Sequence, residues 1–457
     1  MSGAKSSVDV VVVGGGLAGH VAALTAAEAG ASVCLLEKEA RLGGSTAMSG
    51  GFFAFAGTDE QGARGIEDSD ATLRADLVAS AEPAGDAPLI DRYVDRQLDV
   101  YEWLKSIGTT FSTVQLSAAQ TVARSHLTSP RALLTRLADR LHASTHVSVR
   151  EACAVDDLVV LDGRVAGVIT KSGRGTEILD CNRGVILTTG GFSRSRRLLE
   201  TFAPRQISAI PYGGAGCTGD GLLMAWKLGA DMADLGYVSS SYGSHPLTTI
   251  EQHELLSAYY KGAIMVNRLG RRFIDESLSY KVLGDVVLEQ PEGLAFQVFD
   301  SAVRQRSEPG VPLNDISALE EKGRILVADT LEGLARTMEV PPDALIATVS
   351  AYNDAIKQGT ADPFGRTGLC NGVGSRLAVA AAPFYAYPAK SLMTTTYAGP
   401  RVTQDTEVLR LDGSVIDGLY AAGEVMGGFH GRSYMTGTGL GKAAVFGRIA
   451  GAKAARH

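Results

Sequence analysis

Three glycines and one glutamate mark the first chemistry legible in this chain. Gly14, Gly16 and Gly19 stand in the run Gly14-Gly15-Gly16-Leu17-Ala18-Gly19, directly after Val8-Asp9-Val10-Val11-Val12-Val13. A β-branched run of that kind reads as a buried strand. Gly14 permits a tight turn, Gly16 lets the backbone approach a pyrophosphate, and Gly19 lets a helix pack on the strand. A helix expected over 20–29 starts here, so the Leu17 and Ala18 region offers N–H donors and a positive dipole end to a diphosphate. The next apolar strand, 31–36, finishes in Glu37, followed by Lys38. A carboxylate there accepts hydrogen bonds from both ribose hydroxyls and disfavours a 2′-phosphate. Strand, glycines, helix, strand and acid together specify a dinucleotide site, but not whether its guest is NAD or FAD.

A second glycine cluster follows Glu37: Gly43-Gly44-Ser45-Thr46-Ala47-Met48-Ser49-Gly50-Gly51. In flavoproteins such a segment runs past the diphosphate toward the ring. At this point the chain resembles the flavoprotein superfamily of fumarate reductase, succinate dehydrogenase and 3-ketosteroid dehydrogenase, with FAD as the implied cofactor. Further segments carry the resemblance along nearly the whole chain. They are Thr189-Gly190-Gly191 after a strand, Thr218-Gly219-Asp220-Gly221, Gly262 to Phe273, Tyr352-Asn353, Phe364-Gly365-Arg366 and Gly423-Glu424. The resemblance implies that Glu424 bonds the ribityl chain. It also implies a flavin-contacting helix start at Gly439-Leu440, and an adenine-side hairpin from Ala154 to Thr170 turning at Asp162-Gly163. In the succinate dehydrogenase branch a His beside Thr46 would carry the flavin covalently. Here that residue is Ser45, so non-covalent FAD is expected.

The same resemblance points to the reacting groups. Arg272-Phe273-Ile274-Asp275-Glu276-Ser277-Leu278-Ser279-Tyr280 puts a phenol where the fumarate reductase branch holds its proton-donating Arg, and so matches the ketosteroid dehydrogenase branch. His430-Gly431-Arg432-Ser433-Tyr434 likewise departs from the fumarate pattern, and Tyr434 with a downstream glycine N–H, Gly439 or Gly437, would polarise a ketone. Two phenols suit this chemistry: proton removal beside a carbonyl needs a base, and the developing enolate needs a donor. A Tyr base, with an ordinary pKa of about 10, must be lowered by nearby charge or hydrogen bonds. Lys281, Arg271 and Arg272 are the nearby cations in sequence. His245 resembles the family's substrate-facing His, and His430 with Arg432 could bind a carboxylate instead. The expected substrate is thus a small ketone or carboxylic acid. Amine oxidation and flavin binding without turnover are weaker alternatives.

The elements that must position these groups imply an α/β protein: a Rossmann-like FAD-binding domain, 1–235 and 366–457, with an inserted α+β substrate-capping domain, 236–365. Its 457 residues suffice for two to three domains. Gly is high, 54 residues, with only 15 Pro and no repetitive tract, which fits tight turns and backbone approach to a ligand. A net charge of −7 without a basic run argues against nucleic acid and anionic membranes. No apolar run reaches the ~18 residues of a membrane helix. Cys34, Cys153, Cys181, Cys217 and Cys370 show neither metal-ligand nor redox-pair spacing, so no metal site and a reducing, cytoplasmic setting are expected. Without haem or iron–sulfur ligands, electrons would pass through a separate carrier or oxygen.

Overall fold

The computed structural model describes residues 7–173, 175–249, 252–311, 313–370 and 374–456. The chain divides into two compact units. The first comprises Met1–Ala203, Gly213–Ser239 and Thr395–His457, and the second Pro204–Tyr212 and Ser240–Thr394.

The first unit is built on a mainly parallel sheet. Its strands lie in the order Glu407–Leu409, Val415–Ala421, Gly175–Leu187, Ser7–Val13, Val33–Leu36 and Val147–Arg150. Val10 to Val13 of the first strand are buried, as a strand covered on both faces requires. The helix after it runs Leu17–Glu28, three residues earlier than expected, because Gly16 itself serves as the N-cap. This helix packs against the carboxy-terminal helix Thr438–Ala454 through small residues. A β-carbon on Gly451 would stand 2.3 Å from the Ala22 carbonyl oxygen, and one on Gly447 would stand 2.8 Å from that of Ala18. The hairpin Cys153–Leu161 and Arg164–Ser172 closes with Leu161 opposite Arg164, and both turn residues, Asp162 and Gly163, have positive φ. That is the two-residue turn whose twist matches paired strands.

The second unit carries an antiparallel sheet in which Leu294–Asp300 lies between Ile264–Asn267 and Phe384–Thr396. This strand pairing moves the expected boundary. The chain re-enters the first unit at Thr395 rather than at 366, because residues 384–394 are hydrogen-bonded into the second sheet. Ile210–Pro211 pairs in parallel with the same long strand, which places Pro204–Tyr212 in the second unit as well.

Under that sheet lies a cluster of buried charge. Arg272 donates to both oxygens of Glu276, at 2.8 and 2.7 Å, and to Asp362 at 2.8 Å. Arg366, fully buried, reaches Glu276 at 3.2 Å and donates to the carbonyls of Gly368, Ala263 and Tyr259. Glu276 therefore holds two guanidinium groups, and Arg366 ties its own segment to the turn at 259–263. Among the described residues no helix is long and apolar enough to cross a membrane, and no cluster of His, Cys, Asp or Glu could hold a metal ion.

Removing one partner from a buried ion pair strands the other, at a cost of about 3–5 kcal/mol. Arg366→Leu should therefore destabilise the second unit by that amount in urea unfolding followed by circular dichroism. A midpoint equal to that of the unmodified protein would show that Glu276 needs only Arg272.

Candidate active site

The glycine turn is as tight as its residue types allow. A β-carbon on Gly19 would meet the Gly14 carbonyl oxygen at 1.9 Å, and one on Gly14 would meet that of Thr188 at 2.4 Å. Gly14 also has a φ of +109°, which other residues rarely adopt. Gly16 behaves differently. Its β-carbon would meet only Thr46 Oγ1, at 3.8 Å, and that of Gly44 only the Gly16 Cα, at 3.8 Å. Two glycine backbones thus border open space at the start of a helix. There the Leu17 N–H is taken by Thr46 Oγ1 at 3.1 Å and the His20 N–H by the Gly16 carbonyl at 3.0 Å. The Ala18 and Gly19 N–H groups have no acceptor among the described residues. Open glycine backbone and unspent N–H donors at a helix N-terminus fit a diphosphate.

Glu37 is buried and accepts the Gly15 N–H at 2.7 Å and the Glu39 N–H at 2.8 Å. A carboxylate has about four lone-pair sites, so capacity remains for a ribose. Cys153 N–H donates to the Glu37 carbonyl, which sets Ala154 beside this strand end. Lys38 is committed within the protein: it bonds Thr218 Oγ1 at 2.5 Å and Asp220 at 2.7 Å, pinning the Thr218-Gly219-Asp220 turn to the strand. Ser45 accepts the Gly214 N–H at 3.0 Å, Gly43 donates to the Gly15 carbonyl, and Ser49 donates to the Thr46 carbonyl. Gly51, with positive φ, accepts the Thr128 N–H, while Gly50 is exposed beside it.

Glu424 lies deep in the unit yet keeps accessible surface, as a side chain lining a slot does. Burial raises its pKa, against the Thr396 N–H that it accepts at 3.0 Å. Gly191 has to be glycine, since a β-carbon would sit 2.5 Å from Glu424 Oε1 and 2.0 Å from Thr396 Oγ1. A β-carbon on neighbouring Gly190 would come within 3.6 Å of Glu424 Oε2. Thr189 Oγ1 is buried without a partner among the described residues, an orphan that a ligand hydroxyl would satisfy.

The loop from His430 enters the Thr438–Ala454 helix beside Tyr434. Gly437 caps this helix and is occupied structurally: its carbonyl accepts the Ala54 N–H at 3.2 Å and the Gly441 N–H at 3.0 Å. Thr438 N–H donates to Met435. The N–H groups of Gly439 and Leu440 have no acceptor among the described residues. A β-carbon on Gly439 would lie 3.3 Å from Tyr434 Oη, so of the two candidate glycines Gly439 is the one beside the phenol. His430 is buried, its ring 5.5 Å from that of Tyr434 and 4.9 Å from that of Tyr397. Gln120 and the Ala118 carbonyl hold Thr436 through its own carbonyl and N–H, at 2.9 and 3.1 Å. The side chain of Arg432 is exposed, and its N–H bonds the Ala81 carbonyl.

Tyr397, Gln120 and Lys442 are additions to the sequence reading. Lys442 is buried, donates to the Met426 carbonyl at 2.5 Å, and is pushed down to about 8 by burial. Its position in Gly439-Leu440-Gly441-Lys442, one turn into an apolar helix, was the available signal. Tyr397 and Gln120 stand in segments with no motif.

In the second unit Tyr280 is the first residue of the helix Tyr280–Leu288 and packs half-buried against an aromatic cluster containing Tyr242 and Tyr259. Of the three cations near it in sequence, Arg272 is consumed by Glu276 and Asp362, and Arg271 is exposed. Lys281 follows Tyr280 directly, and burial pushes its amine down to about 7. His245 is buried after the strand Val238–Ser244. Its Nδ1 accepts the Leu247 N–H at 3.1 Å, which leaves the proton on Nε2, and burial pushes its pKa down to about 4. At neutral pH it is therefore an uncharged donor.

If Glu37 holds the ribose, Glu37→Ala removes charge-assisted hydrogen bonds worth about 1.5–3 kcal/mol each. FAD affinity, read by quenching of flavin fluorescence, should fall by at least about tenfold. An unchanged titration would place the ribose elsewhere.

Comparison with known proteins agrees with this cradle. The FAD binding domain family matches residues 9–440. A probable fumarate reductase of Shewanella frigidimarina is 30% identical over 463 residues, covering 100% of this chain and 76% of the relative. The open conformation of a flavocytochrome c3 fumarate reductase superposes with a TM-score of 0.87 at 29% identity, over 100% of this chain and 79% of that one. The 3-ketosteroid-Δ4-(5α)-dehydrogenase from Rhodococcus jostii RHA1, in complex with 4-androstene-3,17-dione, gives a TM-score of 0.79 at 26% identity, over 100% and 98%. The chain thus belongs to the FAD binding domain family, and it is an FAD-dependent oxidoreductase acting on CH–CH groups.

Proposed function

We propose that the protein forms or reduces a carbon–carbon double bond next to a ketone carbonyl, with non-covalently held FAD. One observation carries this reading. Tyr434 Oη stands against Gly439 at a helix start whose N–H donors are unspent, while Arg432, the cation of the same loop, is exposed. Neutral donors at a positive dipole end suit a neutral carbonyl oxygen that becomes negative during reaction. A carboxylate is instead best held by the paired N–H groups of an inward-facing Arg.

FAD bound in the cradle supplies the hydride acceptor or donor. The remaining roles belong to the chain. Tyr434 Oη and the Gly439 N–H would bond the ketone oxygen and stabilise the enolate. Tyr280 would exchange the proton on the carbon beside the carbonyl. His245, neutral and protonated on Nε2, would donate to substrate without adding charge. Electrons would leave or arrive through a separate carrier or oxygen. Likeness to the Shewanella fumarate reductase favours a second reading, in which a small carboxylic acid is bound by Arg432 and His245.

Acid precipitation should release all of the flavin into the supernatant, because Ser45 offers no imidazole for attachment. Yellow colour retained in the pellet would show a covalent link. Kinetics separates the two substrate classes. With a saturated ketone that bleaches the flavin anaerobically, Tyr434→Phe should lower kcat by about 10²–10³, the cost of one oxyanion donor. Tyr280→Phe should lower it by about 10²–10⁴ with FAD binding intact, and Arg432→Ala should be mild. A large rise in KM for Arg432→Ala beside a mild Tyr434→Phe would instead establish the carboxylate reading, since binding common to ground and transition states is what such a clamp provides.

A further inference from the structure

The first unit holds a groove of about 670 Å³ that the oxidoreductase reading leaves unused. It lies between the helix Ala87–Ser106 and the later turns of Thr438–Ala454, with Thr25 of the first helix in its wall. Five cations line it: Arg92, Arg96, Arg448, Lys453 and Arg456. Three are balanced, Arg92 by Asp405 at 2.6 Å, Arg96 by Asp99 at 3.1 Å and Lys453 by Glu407 at 3.1 Å. Arg448 and Arg456 have no ion pair among the described residues, which leaves two positive charges in the groove without a contacting acid.

Charge alone would also follow from cations favouring a helix C-terminus. The donors show more than that. Arg448 Nη1, Arg92 Nε and Thr25 Oγ1 are buried polar atoms with no hydrogen-bond partner among the described residues, and all three residues line this groove. Thr25 as a whole is only 7% exposed. The Arg448 guanidinium lies over the Trp103 ring, 4.8 Å from its centroid, so it is held in place rather than extended into water. Burial lowers its pKa, while Glu28 and Asp99, neither in contact with it, offset only part of that cost. A half-buried guanidinium held in place without an acid is less favourable than one completed by a counter-ion.

We propose that this groove binds a small phosphorylated molecule as a dianion, with the guanidinium groups of Arg448 and Arg456 on the phosphate. Two uncompensated cations match the two charges of a phosphomonoester at neutral pH, and planar guanidinium forks match its oxygens. The volume falls within the ~300–1,000 Å³ of small-molecule sites. The apolar wall of Val100, Val445 and Ile449 would meet the organic part.

The test is calorimetric titration of the FAD-saturated protein, at constant ionic strength, with glycerol 3-phosphate, glucose 6-phosphate, inorganic phosphate and chloride. Saturating FAD keeps the diphosphate cradle out of the measurement. The expected result is one saturable site for phosphate-bearing probes and none for chloride. A sugar or glycerol phosphate binding more tightly than inorganic phosphate would identify an organic ligand, and equal affinity would identify the free ion. Arg448→Gln should weaken binding at least tenfold, and Arg456→Gln, exposed and safe for folding, should weaken it severalfold. Absence of saturable binding, or affinities unchanged in Arg456→Gln and in any folded Arg448→Gln, would overturn the proposal.

Discussion

The 1.9 Å between the Gly14 carbonyl oxygen and the point where a Gly19 β-carbon would stand is the constraint on which the rest of the first unit depends. It forces the first helix against the first strand, so the helix N-terminus opens on the Gly16 and Gly44 backbones. The same helix then presents Ala18 and Ala22 to Gly447 and Gly451, and only glycine at those two positions lets the carboxy-terminal helix come so close. That second helix starts at Gly437, beside Tyr434. The phosphate cradle and the Tyr434 loop are thus placed by one stack of close backbone contacts, in which larger side chains would clash.

Polar groups in this unit divide sharply into those spent on architecture and those kept unspent. Lys38, Thr218 and Asp220 satisfy one another, and Gly437 is used on both its neighbours. The N–H groups of Ala18, Gly19, Gly439 and Leu440, with the Thr189 hydroxyl, are not spent among the described residues. Buried polar groups are normally paired, so a set of unpaired ones marks where a ligand completes the structure. The Arg448 groove follows the same rule at the far end of the same two helices, with guanidinium groups in place of N–H groups.

The second unit solves a different problem. Its antiparallel sheet rests on Arg272, Glu276, Asp362 and Arg366, groups that would be costly to bury singly and are tolerable only as a closed set. This consumes the arginine nearest Tyr280 in that motif. Lys281, next in the chain after Tyr280, has its amine pushed down by burial to about 7.

The sequence by itself determined the strand–glycine–helix–strand–Glu37 unit and the Asp162-Gly163 hairpin, and it singled out Tyr280 and Tyr434 by their place in motifs. These rest on local constraints: a required positive φ, a backbone contact within one βαβ unit, a residue type inside a motif. Only the tertiary structure decided that Gly439 rather than Gly437 adjoins Tyr434, that Lys38 belongs to Asp220, and that the second unit ends at Thr394. It alone revealed Tyr397 beside His430 and Gln120 bracing Thr436. The reason is separation along the chain. Lys38 and Thr218 are 180 residues apart, and Gln120 and Thr436 are 316 apart. Contacts over such distances leave no periodicity or spacing in either segment, because each partner satisfies its own local geometry and meets the other only after the first unit has folded.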